Sequence, residues 1–197
     1  GPTRLLPHDS ALLITPSYWR QWIRDHCTFK FYPSISHGDL TGRNVFVTDQ
    51  GHCWLIDFYR TYRSHLLRDF VILETDIKYR LLPELFQKAG HPEAYSWDEY
   101  WAMEKSLRYG ELSNVRERLP EVCKAAETLL TMRSLANDLM VKYHRDGDNI
   151  RRQMLLSRLV THLNVTRLKH VEPRYKLWAL ATAGRICEEL DQLPPPR

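Results

Sequence analysis

The stretch from residue 35 to residue 70 constrains the fold more than any other part of the chain. Residues 45–48 and 53–56 are rich in β-branched, aromatic and other apolar side chains, and Asp49-Gln50-Gly51-His52 separates them. Gly51 can adopt the positive φ that a tight turn requires. This pattern predicts a β-hairpin, and it is the clearest sheet signal in the sequence.

Downstream of the hairpin, apolar residues recur at helical spacing. In the first of these segments, four residues form one predicted inward stripe: Leu66, Phe70, Leu73 and Ile77. Ser96 and Glu99 have the spacing of a capping box that opens a helix, and Pro120 suits the first turn of another. Residues 150–169 and 175–190 continue as helices, and the second of them is apolar nearly all round.

The fold class that follows is mainly α with a small β-hairpin, an α+β arrangement. Residues 1–34 form a lead segment, in which Trp19 and Trp22 at helical spacing predict one short helix. Residues 35–197 form a lobe made of the hairpin followed by a helical bundle. The sequence has no internal repeat and no linker, so we expect the two parts to form one compact domain.

Composition excludes several classes of protein. The 197 residues are 43% hydrophobic and 26% charged, which is ordinary for a globular protein. We find neither a run of about 18 apolar residues, as a membrane helix needs, nor a basic-then-apolar leader. The four cysteines are scattered, as is typical of reduced thiols rather than of a disulfide framework or a zinc site. We therefore expect a cytoplasmic protein without a membrane partner.

The positive charge of the chain is small, with a formal net charge of +4. The densest basic group consists of Arg151, Arg152, Arg158, Arg167 and Lys169. On a helix, Arg151 and Arg158 share one face. We interpret this group as a solvated helix face, and a phosphate-contacting stripe is the alternative. We do not expect nucleic acid as a partner.

Polar side chains flank the predicted hairpin on both sides. Asp39 and Asn44 precede its first strand, and Asp57 follows its second strand. Because an antiparallel hairpin returns the chain to its starting side, we expect Asp57 to lie near Asn44. A carboxylate and an amide carbonyl are hard oxygen ligands that suit Mg²⁺. Asp39 would then be close enough to accept a proton from an attacking hydroxyl, which is the minimum equipment for phosphoryl transfer.

An alternative treats Asp39 and Asn44 as ordinary turn residues, which both residue types favour. Asp57 argues against this alternative. It follows Trp54-Leu55-Ile56 and precedes Phe58, so we expect a half-buried charge, and such a group needs a partner or a metal.

These residues resemble the catalytic lobe of the protein-kinase-like phosphotransferases, especially the aminoglycoside and choline kinase branch. That branch shows H-G-D-x-x-x-x-N, a short hairpin, an I-D-F or I-D-W step, and a further Asp that opens a helix. The matching residues are, in order, His37-Gly38-Asp39-Leu40-Thr41-Gly42-Arg43-Asn44, Leu55-Ile56-Asp57-Phe58 and Arg68-Asp69-Phe70. The pattern is also similar to kinase-like domains associated with bacterial NTP-dependent conflict and signalling proteins. The resemblance implies a kinase-like C-terminal lobe and covers residues 35–75 well.

The resemblance also implies roles for individual residues. Asp39 resembles the catalytic base, and Asn44 and Asp57 resemble the magnesium ligands. His37 resembles the histidine that braces this loop. Asp69 resembles the buried carboxylate that holds the loop backbone from the start of a helix, and an N-cap or surface acid is its alternative.

Two features depart from the family pattern. Tyr59 stands where protein kinases have glycine, although the aminoglycoside branch also often lacks it. Kinases also need a preceding sheet lobe with a glycine-rich flap and a strand lysine, whereas the 36 residues before His37 contain no G-x-G and only one lysine, Lys30.

Arg43 occupies the place where tyrosine kinases carry an arginine. The resemblance implies that it orients the substrate or Asp39, and a plain solvent-facing arginine is the alternative.

Two accounts of function follow. In the first, the chain is the catalytic lobe of a phosphotransferase that uses Mg²⁺ and ATP only in the complete protein, where an N-terminal lobe is present. In the second, it is a pseudokinase, a non-catalytic module that binds a protein partner in a multidomain signalling or defence assembly. In neither account do we expect a cofactor that binds tightly to this chain alone.

Overall fold

The computed structural model describes residues 33–143 and 147–194. Two separate antiparallel sheets come first, in which β1 (Pro33–Ser36) pairs with β4 (Tyr62–His65), and β2 (Val45–Val47) pairs with β3 (Cys53–Leu55). The helices that follow are α1 (Arg68–Asp76), α2 (Leu82–Lys88), α3 (Trp97–Tyr109), α4 (Pro120–Tyr143), α5 (Gly147–Val165) and α6 (Pro173–Asp191). A π-helical turn, Ile77–Leu81, joins α1 to α2. The mainly α fold class with a small β-hairpin is therefore confirmed.

The predicted hairpin and its turn are confirmed, and the structure adds its register. Val45 pairs with Leu55 and Val47 pairs with Cys53. The Thr48 N–H donates to the His52 carbonyl at 2.9 Å, and Gly51 has a φ of +79°. A residue with a Cβ adopts that φ only at a cost, so glycine fixes where the chain reverses.

The pairing of β1 with β4 was not predicted, and residues 62–65 extend the sheet structure to the start of α1. Neither strand carries the alternating apolar pattern by which strands are found in a sequence. Their partners are far apart in the chain, with Pro33 opposite His65 and Ser36 opposite Tyr62. A non-local pairing between polar strands leaves no local signal, so sequence reasoning could not find it.

The predicted helix starts agree with the structure in two places. The Ser96 hydroxyl accepts a hydrogen bond from the Glu99 N–H at 3.4 Å, and α3 begins at the next residue. Pro120 is the first residue of α4. The helix expected from residue 150 begins earlier, at Gly147. The lead segment was expected over residues 1–34, with one short helix. Residues 1–32 of this segment lie outside the described part of the chain.

The largest part of the core lies where α3, α4 and α6 meet the π-helical turn. Tyr95 and Tyr100 are completely buried there. The Tyr100 hydroxyl contacts the Tyr79 hydroxyl at 2.7 Å and the Thr182 hydroxyl at 2.5 Å, so these polar groups are hydrogen-bonded inside the core, as buried polar groups require. None of the helices in the described ranges is long and apolar enough to cross a membrane.

The apolar stripe predicted for α1 lies at the edge of the core, where Leu66, Phe70 and Ile77 pack against it, and not at its most buried positions. Leu66, Phe70, Leu73 and Ile77 are only partly buried. The buried positions are instead Leu67, Val71, Glu74 and Lys78. The prediction assumed that only apolar residues face the core. However, α1 directs Glu74 inward and the π-helical turn directs Lys78 inward, and these two charges pair with each other.

Candidate functional site

The loop that contains Asp39 runs from residue 37 to residue 44, between β1 and β2. Its first two residues are anchored by Asp69, which lies in the first turn of α1. The His37 N–H donates to Asp69 Oδ2 at 2.7 Å, and the Gly38 N–H donates to Asp69 Oδ1 at 2.9 Å. Both carboxylate oxygens are thus engaged by backbone amides, which is the geometry that the resemblance implies for this residue.

His37 ties the same loop to the segment that carries Asp57. Its Nε2 lies 2.7 Å from the Ile56 carbonyl, and its ring packs against Phe58 with 4.8 Å between centroids. Gly38, which follows, has a φ of +83°. A Cβ at Gly38 would also collide with the Arg60 carbonyl. Glycine is therefore required at this position for two independent reasons.

Asn44 is the residue that connects the three predicted site residues. Its side-chain Nδ2 donates to the Asp39 carbonyl at 2.8 Å, and its own carbonyl accepts from the Ile56 N–H at 3.1 Å. Asp57 directly follows Ile56. The base of the hairpin therefore brings together the backbone of Asp39, the side chain of Asn44 and the backbone that leads into Asp57. This proximity is expected of an antiparallel hairpin.

Asp57 differs from its prediction in one respect. It is exposed, not half-buried, because β2 and β3 form an isolated pair whose apolar residues are also largely exposed. Its φ of +62° and ψ of +57° place it in the left-handed region. It is the only non-glycine residue in the described ranges with a positive φ. Such strained backbone is concentrated at functional sites.

The arginines in or beside the loop include Arg43, Arg60 and Arg68, and Arg68 donates to the Gly38 carbonyl at 3.5 Å. Arg43 forms an exposed ion pair with Glu84 at 3.0 Å, so its side chain is directed to α2 in this conformation. The guanidinium that approaches Asp39 belongs to Arg60, with 4.0 Å between Nη1 and Oδ2. Sequence reasoning did not single out Arg60, whose approach depends on the 3₁₀ turn Phe58–Arg60 that follows Asp57.

The second anchor of the loop is Asp76, which sequence reasoning also missed. Its Oδ2 accepts the Gly42 N–H at 2.7 Å, and both of its oxygens contact Arg80 at 2.5 Å. The hydrogen bonds to Asp76 raise the pKa of Arg80. Asp69 and Asp76 are seven residues apart, which is about two helical turns and one face of α1. That spacing was the signal that could have revealed this anchor.

The oxygen donors at this site fit magnesium only in part. In the described ranges, no three His, Cys, Asp or Glu side chains are arranged to hold a metal ion. Asn44 and Asp57 offer one amide oxygen and one carboxylate, and the Asn44 nitrogen is already used by Asp39. Magnesium is commonly held by one or two carboxylates together with substrate phosphates. The donor set that the described residues offer is therefore incomplete for a metal held by this chain alone.

A buried cluster of charges that sequence reasoning did not predict lies beneath α1. Its members are Glu74, Lys78, Glu104, Arg133 and Arg158. The Lys78 Nζ contacts one carboxylate oxygen of Glu74 and one of Glu104, each at 2.5 Å. Arg133 Nη2 contacts Glu74 at 2.6 Å. All five side chains are mostly or completely buried.

The cluster keeps its carboxylates ionised. Burial alone would raise the pKa of Glu74, but Arg133, Lys78 and Arg158 hold that pKa well below its ordinary value. Burial lowers the pKa of Lys78, and Glu104 and Glu74 oppose this effect. A buried network of this kind is stable only while its members remain paired.

The interpretation of the basic group as a solvated helix face is wrong for two of its members. Arg158 is only 13% exposed and lies 3.5 Å from Glu74. Arg152 is buried and donates to the Pro194 carbonyl. Arg151, Arg167 and Lys169 are exposed, as predicted. Arg158 turns inward towards the buried carboxylates Glu74 and Glu104, and Arg152 turns towards a carbonyl just beyond the end of α6. These partners come from distant parts of the chain.

His162 makes the stability of the domain dependent on pH. It is completely buried, and burial, with a contribution from Lys78, lowers its pKa to about 4. Between pH 6.5 and 4 the unfolded chain binds a proton that the folded chain does not, so this contribution to stability is fully present above pH 6.5 and is lost by pH 4. We expect the free energy of unfolding to fall by about 3 kcal/mol across this range.

The measurement is urea unfolding at several pH values, with two variants for comparison. His162→Gln should remove most of the slope between pH 6.5 and 4. His91→Gln, which changes an exposed histidine, should keep it. A wild-type stability that does not change across this range would contradict the assignment of a neutral buried His162.

These observations define a mainly α domain in which a loop beside a short hairpin is held by two helix carboxylates, Asp69 and Asp76. The model of one family, described as ternary complex associated domain 9, matches residues 18–162. The chain belongs to this family. No curated protein and no solved structure matches it.

Proposed function

We propose that the chain is a kinase-like catalytic lobe that, in the complete protein, takes part in the transfer of a phosphoryl group from Mg-ATP to a hydroxyl. The observation that supports this most is the pair of hydrogen bonds made by Asn44, to the Asp39 carbonyl at 2.8 Å and from the Ile56 N–H at 3.1 Å. They join Asp39, Asn44 and the residue before Asp57 at one end of the hairpin, which supports roles for these three residues in one site.

Asp39 has the properties of a proton acceptor at this position. Its side chain is 37% exposed, so a substrate hydroxyl can reach it. The loop around it is held from both sides by Asp69 and Asp76, which limits movement of the carboxylate. A preorganised base of this kind accepts the hydroxyl proton as the oxygen attacks.

Asn44 and Asp57 would hold a magnesium ion together with the phosphates of the nucleotide. The metal, when bound, supplies neutralisation of charge on the transferred phosphoryl group. The protein contributes the placement of the two oxygen donors, through the Asn44 hydrogen bonds and the left-handed backbone of Asp57.

A second lobe is needed to complete this site. Large apolar side chains on and beside the hairpin are strongly exposed: Phe46, Val47, Trp54, Phe58 and Tyr59. Exposed apolar patches on this scale usually mark interaction surfaces. We propose that a nucleotide-binding lobe, in the same polypeptide or in a partner chain, covers this face and supplies the missing contacts to ATP.

The second candidate function is that of a non-catalytic interaction module, a pseudokinase. The exposed apolar face supports it equally, and the family description refers to a ternary complex. A partner protein within a bacterial signalling or conflict assembly, which the resemblance implies, would then cover the hairpin. A cytoplasmic location fits both candidates and remains part of the proposal.

Phosphoryl transfer and ATP binding separate the two candidates. We expect residues 1–197 alone to show neither calorimetric binding of Mg-ATP below millimolar concentration nor transfer of labelled γ-phosphate above background. The complete protein, with its partner chains, should show both. A complete protein that binds no Mg-ATP would favour the interaction module, and robust turnover by residues 1–197 alone would contradict the need for a second lobe.

A further inference from the structure

A polar cavity lies between α3, α5 and α6. Its volume is about 110 Å³, and no residue of the 37–44 loop or of the hairpin lines it. Sites for drug-sized ligands have volumes of about 300–1,000 Å³. This cavity is therefore suited to a chemical group of only a few heavy atoms, and it is separate from the site proposed above.

The lining of this cavity is rich in positive charge. The charged residues that line it are Lys105, Arg108, Arg158, Arg185, Glu104 and Glu189. Both carboxylates are already shared between cations. Glu104 contacts Lys78 at 2.5 Å and Arg158 at 3.8 Å, and Glu189 contacts Arg108 at 3.4 Å and Arg151 at 3.9 Å. The lining therefore holds four cations and two acids, and Arg185 also pairs with Glu188, outside the lining, at 3.3 Å.

Arg158 is the part of the lining that most needs a further partner. Its side chain is 13% exposed, and its contacts with Glu74 and Glu104 measure 3.5 and 3.8 Å. Both are longer than a good N–H···O hydrogen bond, which is at most about 3.2 Å. Its Nε has no hydrogen-bond acceptor in the described part of the chain. A guanidinium carries five N–H donors, and buried donors are normally paired.

We propose that this cavity binds a phosphate group, either as the free anion or as the end of a small phosphate monoester. Arginine guanidinium groups match the oxygens of phosphate with paired, charge-assisted hydrogen bonds. Arg158 would supply donors from the inner wall. Arg108 and Arg185, each with a side chain 33% exposed, would supply them from the mouth. Arg185 lies over the Trp101 ring, with 5.2 Å to its centroid.

Calorimetric titration with inorganic phosphate and, separately, with ribose 5-phosphate tests this proposal at constant ionic strength set by chloride. The wild-type chain should bind at least one of them saturably. The double variant Arg108→Gln, Arg185→Gln should bind at least tenfold more weakly. Arg118→Gln should bind as the wild type does, because Arg118 has a similar exposure and a glutamate partner, Glu99, but does not line the cavity.

The two probes distinguish the sources of the phosphate. Tighter binding of ribose 5-phosphate indicates a monoester, and equal or tighter binding of inorganic phosphate indicates the free anion. Failure of the wild-type chain to bind either probe would overturn the proposal, as would undiminished binding by the double variant. Asn44→Ala changes the proposed phosphotransfer site and should leave phosphate binding in this cavity unchanged. The two proposals can therefore fail independently of each other.

A second measurement needs no substitution and remains informative if the double variant does not fold. Lys105 lines the cavity and is exposed, so its acetylation by a chemical reagent can be followed by mass spectrometry. Saturating inorganic phosphate or ribose 5-phosphate should slow acetylation of Lys105 several-fold and leave that of the exposed Lys124 unchanged. Equal rates at Lys105 with and without both probes would contradict the proposal.

Discussion

Replacement of Lys78 by methionine should lower the free energy of unfolding by about 3–5 kcal/mol. Lys78 is completely buried and contacts both Glu74 and Glu104 at 2.5 Å. Without it, two buried carboxylates lose their shared partner, and Glu104 retains only the long contact with Arg158 at 3.8 Å. Because a domain of this size is stable by only about 5–15 kcal/mol, the loss should be visible as a large shift in the urea midpoint.

The matched control is Arg118→Met, which removes an ion pair nearer the surface, with Glu99 at 3.3 Å. Surface pairs contribute about 0–1 kcal/mol, so this variant should unfold close to the wild-type midpoint. A Lys78→Met variant as stable as Arg118→Met would show that the buried cluster tolerates an unpaired carboxylate, which would contradict the role given to Lys78.

Replacement of Asp39 by asparagine should reduce phosphoryl transfer by the complete protein by about 10²–10⁴-fold. The change keeps the size of the side chain and the Asp39 carbonyl that accepts from Asn44, but it removes the proposed proton acceptor. A base acts mainly in the transition state. Binding of Mg-ATP, measured by calorimetry, should therefore remain within about threefold of the wild-type value.

Asp49→Asn is the control for this experiment, because Asp49 is exposed in the hairpin turn and shares the charge change. Its turnover should equal that of the wild type. Turnover by Asp39→Asn at the wild-type rate would exclude Asp39 as the base. A loss of Mg-ATP binding that parallels the loss of turnover would indicate that Asp39 acts on the nucleotide rather than on the acceptor.

The parts of the fold that the sequence predicted depend on local signals. Gly51 marks the hairpin turn, Ser96 and Glu99 mark the start of α3, and Pro120 marks the start of α4. Each signal acts within a few residues, so a single sequence is enough to detect it. The grouping of Asn44 with Asp57 was also predictable, because an antiparallel hairpin returns to its starting side.

The parts that the sequence did not predict depend on partners that are distant in the chain. Arg133 reaches Glu74 from 59 residues away, and no local pattern indicates such a pair. The polar strands β1 and β4 are likewise defined only by each other. Asp57 was expected to be half-buried from its apolar neighbours, but those neighbours belong to a hairpin without a covering layer in the described part of the chain. Burial is a property of the assembled layers, not of the adjacent residues.

The π-helical turn Ile77–Leu81 fixes the number of residues between α1 and α2. It lies between the two anchors of the loop and the rest of the helix, and it carries Lys78 into the buried cluster and Arg80 onto Asp76. A π turn contains one residue more than an α turn. Deletion of Ile77 would shorten the Glu74–Lys78 and Asp76–Arg80 spacings from four residues to three, so both contacts would have to be remade. We therefore expect deletion of Ile77 to destabilise the domain, because both buried ion pairs are made across this turn.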